Sequence, residues 1–338
     1  MKTVPLGRTG EQVSQFALGC MLMGTLTDDE SSFGMLDRYL DAGGTFLDTA
    51  NCYAWWPGPP FRGGESESLL GRWFARGGRR DEVFLATKGS TWIRDVDAVR
   101  DNPHDPQAAS RQYEGAGAQT LRQALDDSLR RLGTDHVDLY YVHVDDRNTP
   151  LEETLEALAG LVAAGKTRYV GWSNVRTWRL ERIRQLADRY GWPAPVALQQ
   201  QHSYLRPRPG ADTLSIVDDE QLDYLRANDD LTLVAYSPIL KGSYDDLAKR
   251  RDHHVMASYR GPDADARFAA VAEIAAELGV TGNQLVLAWL LHQRDPELVT
   301  LIGPRTPEQY AAALPALDIT LTDDHLARLA EAGAGADG

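Results

Sequence analysis

The sequence predicts an α/β protein folded as one closed (β/α)8 TIM barrel over residues 1–338, and three observations carry that expectation. Short runs rich in Val, Leu, Ile and Tyr alternate with longer stretches of helical period from about residue 13 to the end. That alternation is the signature of parallel strands joined by crossover helices. Eight strand-like runs can be marked, and closing eight parallel strands into a barrel leaves no sheet edge exposed. The turn after the first run reads LGCMLMG and lacks the G-x-G-x-x-G of an open dinucleotide-binding sheet.

Taken in order, strands are expected at VSQFALGC (13–20), TFLDTA (45–50), VFLATKG (83–89), VDLYYVHV (137–144), TRYVGWSN (167–174), PVALQQQH (195–202), LTLVAYSP (231–238) and LVTLIGP (298–304). Amphipathic helices are expected at ESESLLGRWFARGG, QTLRQALDDSLRRLG, LEETLEALAGLVAAGK, RLERIRQLADRYG and RFAAVAEIAAELG. Several of these end in glycine, the residue that accepts a left-handed helix cap. Three stretches rich in turn formers and charges read as extended loops after strands: 54–64, about 90–116 and about 241–263. Loops that follow barrel strands lie on the face where such folds place their sites, so these three are expected to decide what the site accepts.

Composition narrows the function. A net charge of -14 opposes binding to nucleic acid or an anionic membrane, since either requires a basic face. Two cysteines, Cys20 and Cys52, are too few for a disulfide framework and fit a reducing cytoplasm. The opening MKTVPLGRTG carries no apolar signal core, and no run approaches the length of a membrane helix.

The chemistry-bearing residues sit at the carboxyl ends of successive strands: Asp48 in FLDTA, Lys88 in LATKG and His143 in YYVHV, with Tyr53 one short turn beyond Asp48. In a barrel these ends converge on one mouth. Singly, each is more often a turn residue or a satisfied hydrogen-bonder; together they make an acid–base set. A phenol with an ordinary pKa of about 10 is a weak acid at neutral pH. Lys88, held charged by Asp48, is expected to stabilise the tyrosinate and lower that pKa, so that Tyr53 protonates a carbonyl oxygen as hydride reaches its carbon. Neutral His143 would orient the same oxygen.

Over nearly its whole length the sequence resembles the aldo-keto reductases. VPLGRTGEQVS is similar to the β-hairpin that plugs the bottom of those barrels, F-L-D-T-A-N-C-Y carries the family's Asp and Tyr, A-T-K-G its Lys and D-L-Y-Y-V-H its His. The resemblance implies NADP(H)-dependent interconversion of a ketone or aldehyde and an alcohol, with NADH the weaker alternative; that reaction needs no metal, and His202, His253 and His254 show no metal-ligand spacing with carboxylates. It assigns Ser173 and Asn174 of G-W-S-N to the nicotinamide carboxamide, with Gln199 as a third partner whose register among Gln199, Gln200 and Gln201 is open. Tyr236 would stack on the nicotinamide, and Ser237, Ile239 and Gly242 would follow the pyrophosphate. In I-G-P-R-T-P-E-Q-Y, Gly303, Arg305 and Gln309 would hold the adenosine half, Arg305 meeting the ribose 2′-phosphate. Ala313 stands where the family commonly has an Asn.

The chain also departs from the family beyond Tyr53, where Trp55 and Trp56 enter a Pro- and Gly-rich insertion. With Trp92 they form either a stacking surface for a sugar-like, polyketide or aromatic substrate, or packing that holds long loops to the barrel. Asp146 is read as a loop brace and Cys52 as an inert buried thiol. Two further readings stand beside the enzyme: a cofactor-binding regulatory or channel-associated subunit with little turnover, and a phosphate-binding barrel lyase or isomerase. A homo-oligomer is compatible with all of them.

Overall fold

Alternating apolar residues first build a hairpin, β1 (Thr3–Pro5) paired antiparallel with β2 (Gln12–Ser14). Val4, Leu6 and Val13 are buried among the lumenal side chains of the barrel, including Phe46, Ala86, Leu139 and Val299, so the hairpin closes one end of the lumen. Gly7 is needed there: its φ is +51°, its N–H donates to Thr232 Oγ1 at 2.6 Å, and a Cβ would lie 2.2 Å from the Asp230 carbonyl oxygen. A computed structural model describes residues 1–101 and 105–333.

The barrel strands are β3 (Phe16–Gly19), β4 (Phe46–Asp48), β5 (Phe84–Gly89), β6 (Val137–Val142), β7 (Thr167–Ser173), β8 (Ala197–Gln201), β9 (Thr232–Tyr236) and β10 (Leu298–Ile302). All pair in parallel, and β10 meets β3 to close the ring. Every expected strand is present. The first run is divided, because residues 12–14 end the hairpin and the barrel strand starts at Phe16; buried Gln15 bridges them, donating from Nε2 to the Leu291 carbonyl.

Side chains alternate strictly between two cores. Leu47, Leu85, Tyr140, Trp172 and Leu198 face the surrounding helices, while Phe46, Ala86, Leu139, Tyr141 and Ala197 fill the lumen. Continuing the period of two carries Asp48, Lys88 and Gln199 into the lumen at the carboxyl end of β4, β5 and β8. Gly171 makes space at that level: a Cβ there would lie 2.6 Å from the Tyr141 ring.

The expected helices form at Glu65–Gly77, Ala118–Leu132, Leu151–Ala163, Thr177–Tyr190 and Pro262–Leu278. Gly282–Leu291 is a helix that amphipathic pattern does not announce, since GNQLVLAWLL is apolar on nearly every side and most of it is buried. Its start is nonetheless written in the chain as a Thr281–Gln284 capping box. No single helix among the described residues is long and apolar enough to cross a membrane.

The three long loops follow strands as expected. Residues 54–64 contain neither helix nor strand, and 90–116, of which 102–104 lie outside the described residues, include a short helix at Pro106–Arg111. The third holds a helix at Leu247–Asp252 and a tighter turn at His254–Ser258. The first two share a satellite core of Trp55, Ile93, Val96, Val99 and Ala109.

Candidate active site

At the carboxyl ends of β4 and β5, Lys88 Nζ lies 2.5 Å from Asp48 Oδ1, 2.8 Å from the Thr49 carbonyl oxygen and 2.8 Å from Tyr53 Oη. Both members of the ion pair are fully buried. An ammonium has three N–H groups, and these partners take all three. Because Lys88 donates to the phenol oxygen, the Tyr53 O–H is left to donate to something else. The second oxygen of Asp48 accepts from Gln199 Nε2 at 2.8 Å.

Burial pushes the Lys88 ammonium below its ordinary value, with the Asp48 carboxylate opposing that shift. Tyr53 moves the other way: burial first, then the negative charge of Asp48, push its phenol well above 10. The net direction for Tyr53 is therefore upward, where a lowering was expected. Desolvation of a phenolate outweighs one neighbouring ammonium whose charge is already shared with a carboxylate.

His143 follows β6, its backbone N–H donating to the Gly89 carbonyl at 3.0 Å. Its ring stands edge-on to Tyr53, with centroids 5.5 Å apart and an interplanar angle of 80°. Burial and the Lys88 charge hold the imidazole well below its ordinary pKa, so it is neutral at pH 7. Nδ1 lies 2.8 Å from Thr91 Oγ1 and 3.6 Å from Cys52 Sγ. All four residues singled out in the sequence thus meet at one mouth.

Asn174, at φ +51°, donates from Nδ2 to the His143 carbonyl oxygen at 2.7 Å and to Ser173 Oγ at 3.0 Å, and its Oδ1 accepts from Tyr236 O–H at 2.8 Å. Ser173, Asn174 and Tyr236 therefore adjoin the acid–base set. Of the three glutamines, Gln199 reaches Asp48, Gln200 faces outward to the carbonyls of Val175 and Leu214, and Gln201 donates to Tyr259 Oη. Of the three, Gln199 is the one in contact with the acid–base set.

After β9 the backbone turns left-handed at Ser237, Leu240, Lys241 and Gly242, with φ between 45° and 91°. Ile239 closes the turn by accepting from Gly242 N–H at 2.7 Å. Successive N–H groups in such turns form concavities suited to phosphate. After β10, Gly303 is exposed and Gln309 Oε1 accepts from the Arg305 N–H at 2.8 Å. The Arg305 guanidinium is exposed, with no carboxylate partner among the described residues. Amide and hydroxyl groups beside the acid–base set, a left-handed turn after β9 and an exposed guanidinium after β10 form a set of groups that suits a dinucleotide.

The tryptophans separate. Trp55 is buried in the satellite core, Trp92 lies under the Arg131 guanidinium and against Gly63, and half-buried Trp56 meets Trp55 edge-on at 6.0 Å. Loop packing accounts for Trp55; Trp92 is half-buried, and Trp56 also packs against the satellite core. Asp146 braces its loop, accepting from Ala116 N–H and Thr149 O–H. Sequence reasoning missed Thr91 and Glu114. Glu114 Oε1 accepts from Asn51 Nδ2 and Ser90 N–H, tying the loops after β4 and β5 together. Its signal was faint, a lone acid in a Gly-rich stretch, whereas Thr91 lies within the polar run that follows Lys88.

A closed parallel barrel with a buried Asp–Lys–Tyr–His set at its carboxyl mouth defines an oxidoreductase of the β/α-barrel class. The chain belongs to the aldo/keto reductase family, whose profile matches residues 15–334. It is 34% identical over 334 residues to the uncharacterized oxidoreductase YrpG of Bacillus subtilis, covering 97% of this chain and 95% of that one. It is 30% identical to the norsolorinic acid reductase stcV of Emericella nidulans, covering 94% and 77% respectively. Among solved structures it is similar to a thermostable aldo-keto reductase, Tm1743, in complex with the inhibitor epalrestat, with a TM-score of 0.71, 28% identity and coverage of 97% and 98%.

Proposed function

We propose that this protein is an NADP(H)-dependent reductase of ketones or aldehydes in which Tyr53 is the general acid. The observation that carries the reading is the Lys88 ammonium seated 2.8 Å from Tyr53 Oη while Asp48 holds it from behind. A nicotinamide held there would supply the hydride. Everything else falls to the chain. Lys88 occupies a lone pair of the phenol, so the Tyr53 proton points to the substrate oxygen. As that proton leaves, the tyrosinate forms against an ammonium already in place, and no reorganisation is needed. His143, neutral, donates to the same oxygen and directs its lone pair at Tyr53.

Ser173, Asn174 and Gln199 would hold the carboxamide and Tyr236 would lie against the ring. The turn at Ser237, Ile239 and Gly242 would take the pyrophosphate, and Gly303, Arg305 and Gln309 the adenosine end. The exposed Arg305 guanidinium favours NADPH over NADH, since a 2′-phosphate gives it a charge-assisted partner. Trp56 supports an aromatic or polyketide-like carbonyl substrate, and relatives named for norsolorinic acid and aryl alcohols point the same way. A cytoplasmic location fits the buried, reduced thiols of Cys20 and Cys52.

Fluorescence titration with NADPH and NADH, followed by single-turnover oxidation of bound NADPH against aromatic and aliphatic aldehydes and ketones, tests the reading. It expects tighter NADPH binding and fast, saturable oxidation. Tight binding with no oxidation by any carbonyl would instead make the chain a cofactor-binding subunit.

A further inference from the structure

We propose that Cys52 and Thr91 form a hydrogen-bond relay that fixes His143 as its Nε2–H tautomer, which makes both of them positioning residues for carbonyl reduction. The proposal rests on the reading of His143 as the group that orients the substrate oxygen. Three atoms make a closed triangle: Thr91 Oγ1 is 2.8 Å from His143 Nδ1, Cys52 Sγ is 3.2 Å from Thr91 Oγ1, and Cys52 Sγ is 3.6 Å from His143 Nδ1. Cys52 and Thr91 are both buried. The His143 backbone is fixed on both sides, its N–H by Gly89 and its carbonyl by Asn174, so the ring has little freedom left except in its own torsions.

Two directions of donation through Thr91 are open to such a triangle. In one, the Cys52 S–H donates to Thr91 Oγ1 and the Thr91 O–H donates to Nδ1, which leaves the ring proton on Nε2. In the other, Nδ1–H donates to Thr91 Oγ1, the hydroxyl points at sulfur, and the thiol proton has no acceptor in the triangle. Oxygen and imidazole nitrogen are good acceptors while sulfur is a weak one, so the first direction wins. Burial pushes the Cys52 thiol up to about 11, so its proton is present at neutral pH. The neutral imidazole carries one N–H, and the relay decides which nitrogen bears it. Nε2 has no partner among the described residues and is the nitrogen available to a substrate.

The test uses the full chain, labelled with nitrogen-15, and two-bond proton–nitrogen correlation spectra of the imidazole rings, with the His143 signals assigned from their loss in His143→Gln. The parent is expected to show the Nε2–H pattern. Thr91→Val keeps the volume and removes the hydroxyl; it should erode that pattern and lower kcat about tenfold, the size of one oriented hydrogen bond, while NADPH affinity stays at the parental value. Thr91→Ser should restore both the pattern and the rate. An Nδ1–H pattern in the parent, or a parental spectrum and kcat in Thr91→Val, would overturn the relay. A Thr91-dependent Nε2–H pattern in a chain that oxidises no carbonyl sustains the relay and overturns the reductase reading, so the two failures are distinguishable.

Discussion

The two sides of the mouth are built by different means. Asp48, Lys88 and Gln199 stand on strands whose register is fixed by the closed sheet, and each is lumenal because the strand period leaves no other face. The long loops of residues 54–64 and 90–116 are instead held by a small core of their own and by Arg100, which donates to the carbonyls of Trp55 and Phe61, each at 2.9 Å. The strand-borne side carries the buried Asp48–Lys88 pair that meets Tyr53. The loop-borne side is packed on its own small core, and loops of this kind are where substrate choice most readily varies.

Lys88→Met should break the strand-borne side most severely. It strands the Asp48 carboxylate in the lumen, so unfolding free energy should fall by about 3–5 kcal/mol as measured by denaturant titration, and turnover should fall on the order of 10²–10⁴-fold. Acid should weaken the same frame. Burial lowers His202 to about 4, against about 6.5 in an unfolded chain, so the neutral ring contributes stability that is fully present above pH 6.5. That contribution, about 3 kcal/mol, is lost as pH falls from 6.5 towards 4, and His143 adds to it with the same sign. Thermal melts between pH 7.5 and 4.5 check this; His202→Gln should flatten the dependence.

Arg305→Ala sharpens the comparison at the cofactor end: NADPH affinity should drop about 10- to 100-fold while NADH affinity holds, read by fluorescence titration. Arg100→Ala addresses the loop-borne side alone. KM for a bulky aromatic carbonyl should rise roughly threefold, with kcat for a small aldehyde unchanged. An equal loss for both substrates would show that the loop-borne side is part of the catalytic frame after all.

The same division explains what could be read from the chain. Strand period placed Asp48, Lys88 and His143 at one mouth because β-sheet geometry is local and repetitive, and the eight strands followed from the same signal. The Gly282–Leu291 helix escaped it because burial on every side erases the amphipathic pattern. The direction of the Tyr53 shift was misjudged because desolvation depends on the whole surround, which residue spacing does not record. Trp55 and Trp92 were ambiguous for a related reason: a tryptophan in a loop looks alike whether it covers the loop's own core or faces a ligand. Gln199 was separable from Gln200 only once the β7–β8 register paired it with Ser173.

Single-turnover oxidation of NADPH by an aromatic aldehyde in Tyr53→Phe is the most direct test of the proton-donor assignment. The ring and its packing remain while the hydroxyl that Lys88 addresses is gone. Hydride transfer should slow by about 10³-fold with NADPH affinity unchanged. Oxidation at the parental rate would contradict the account.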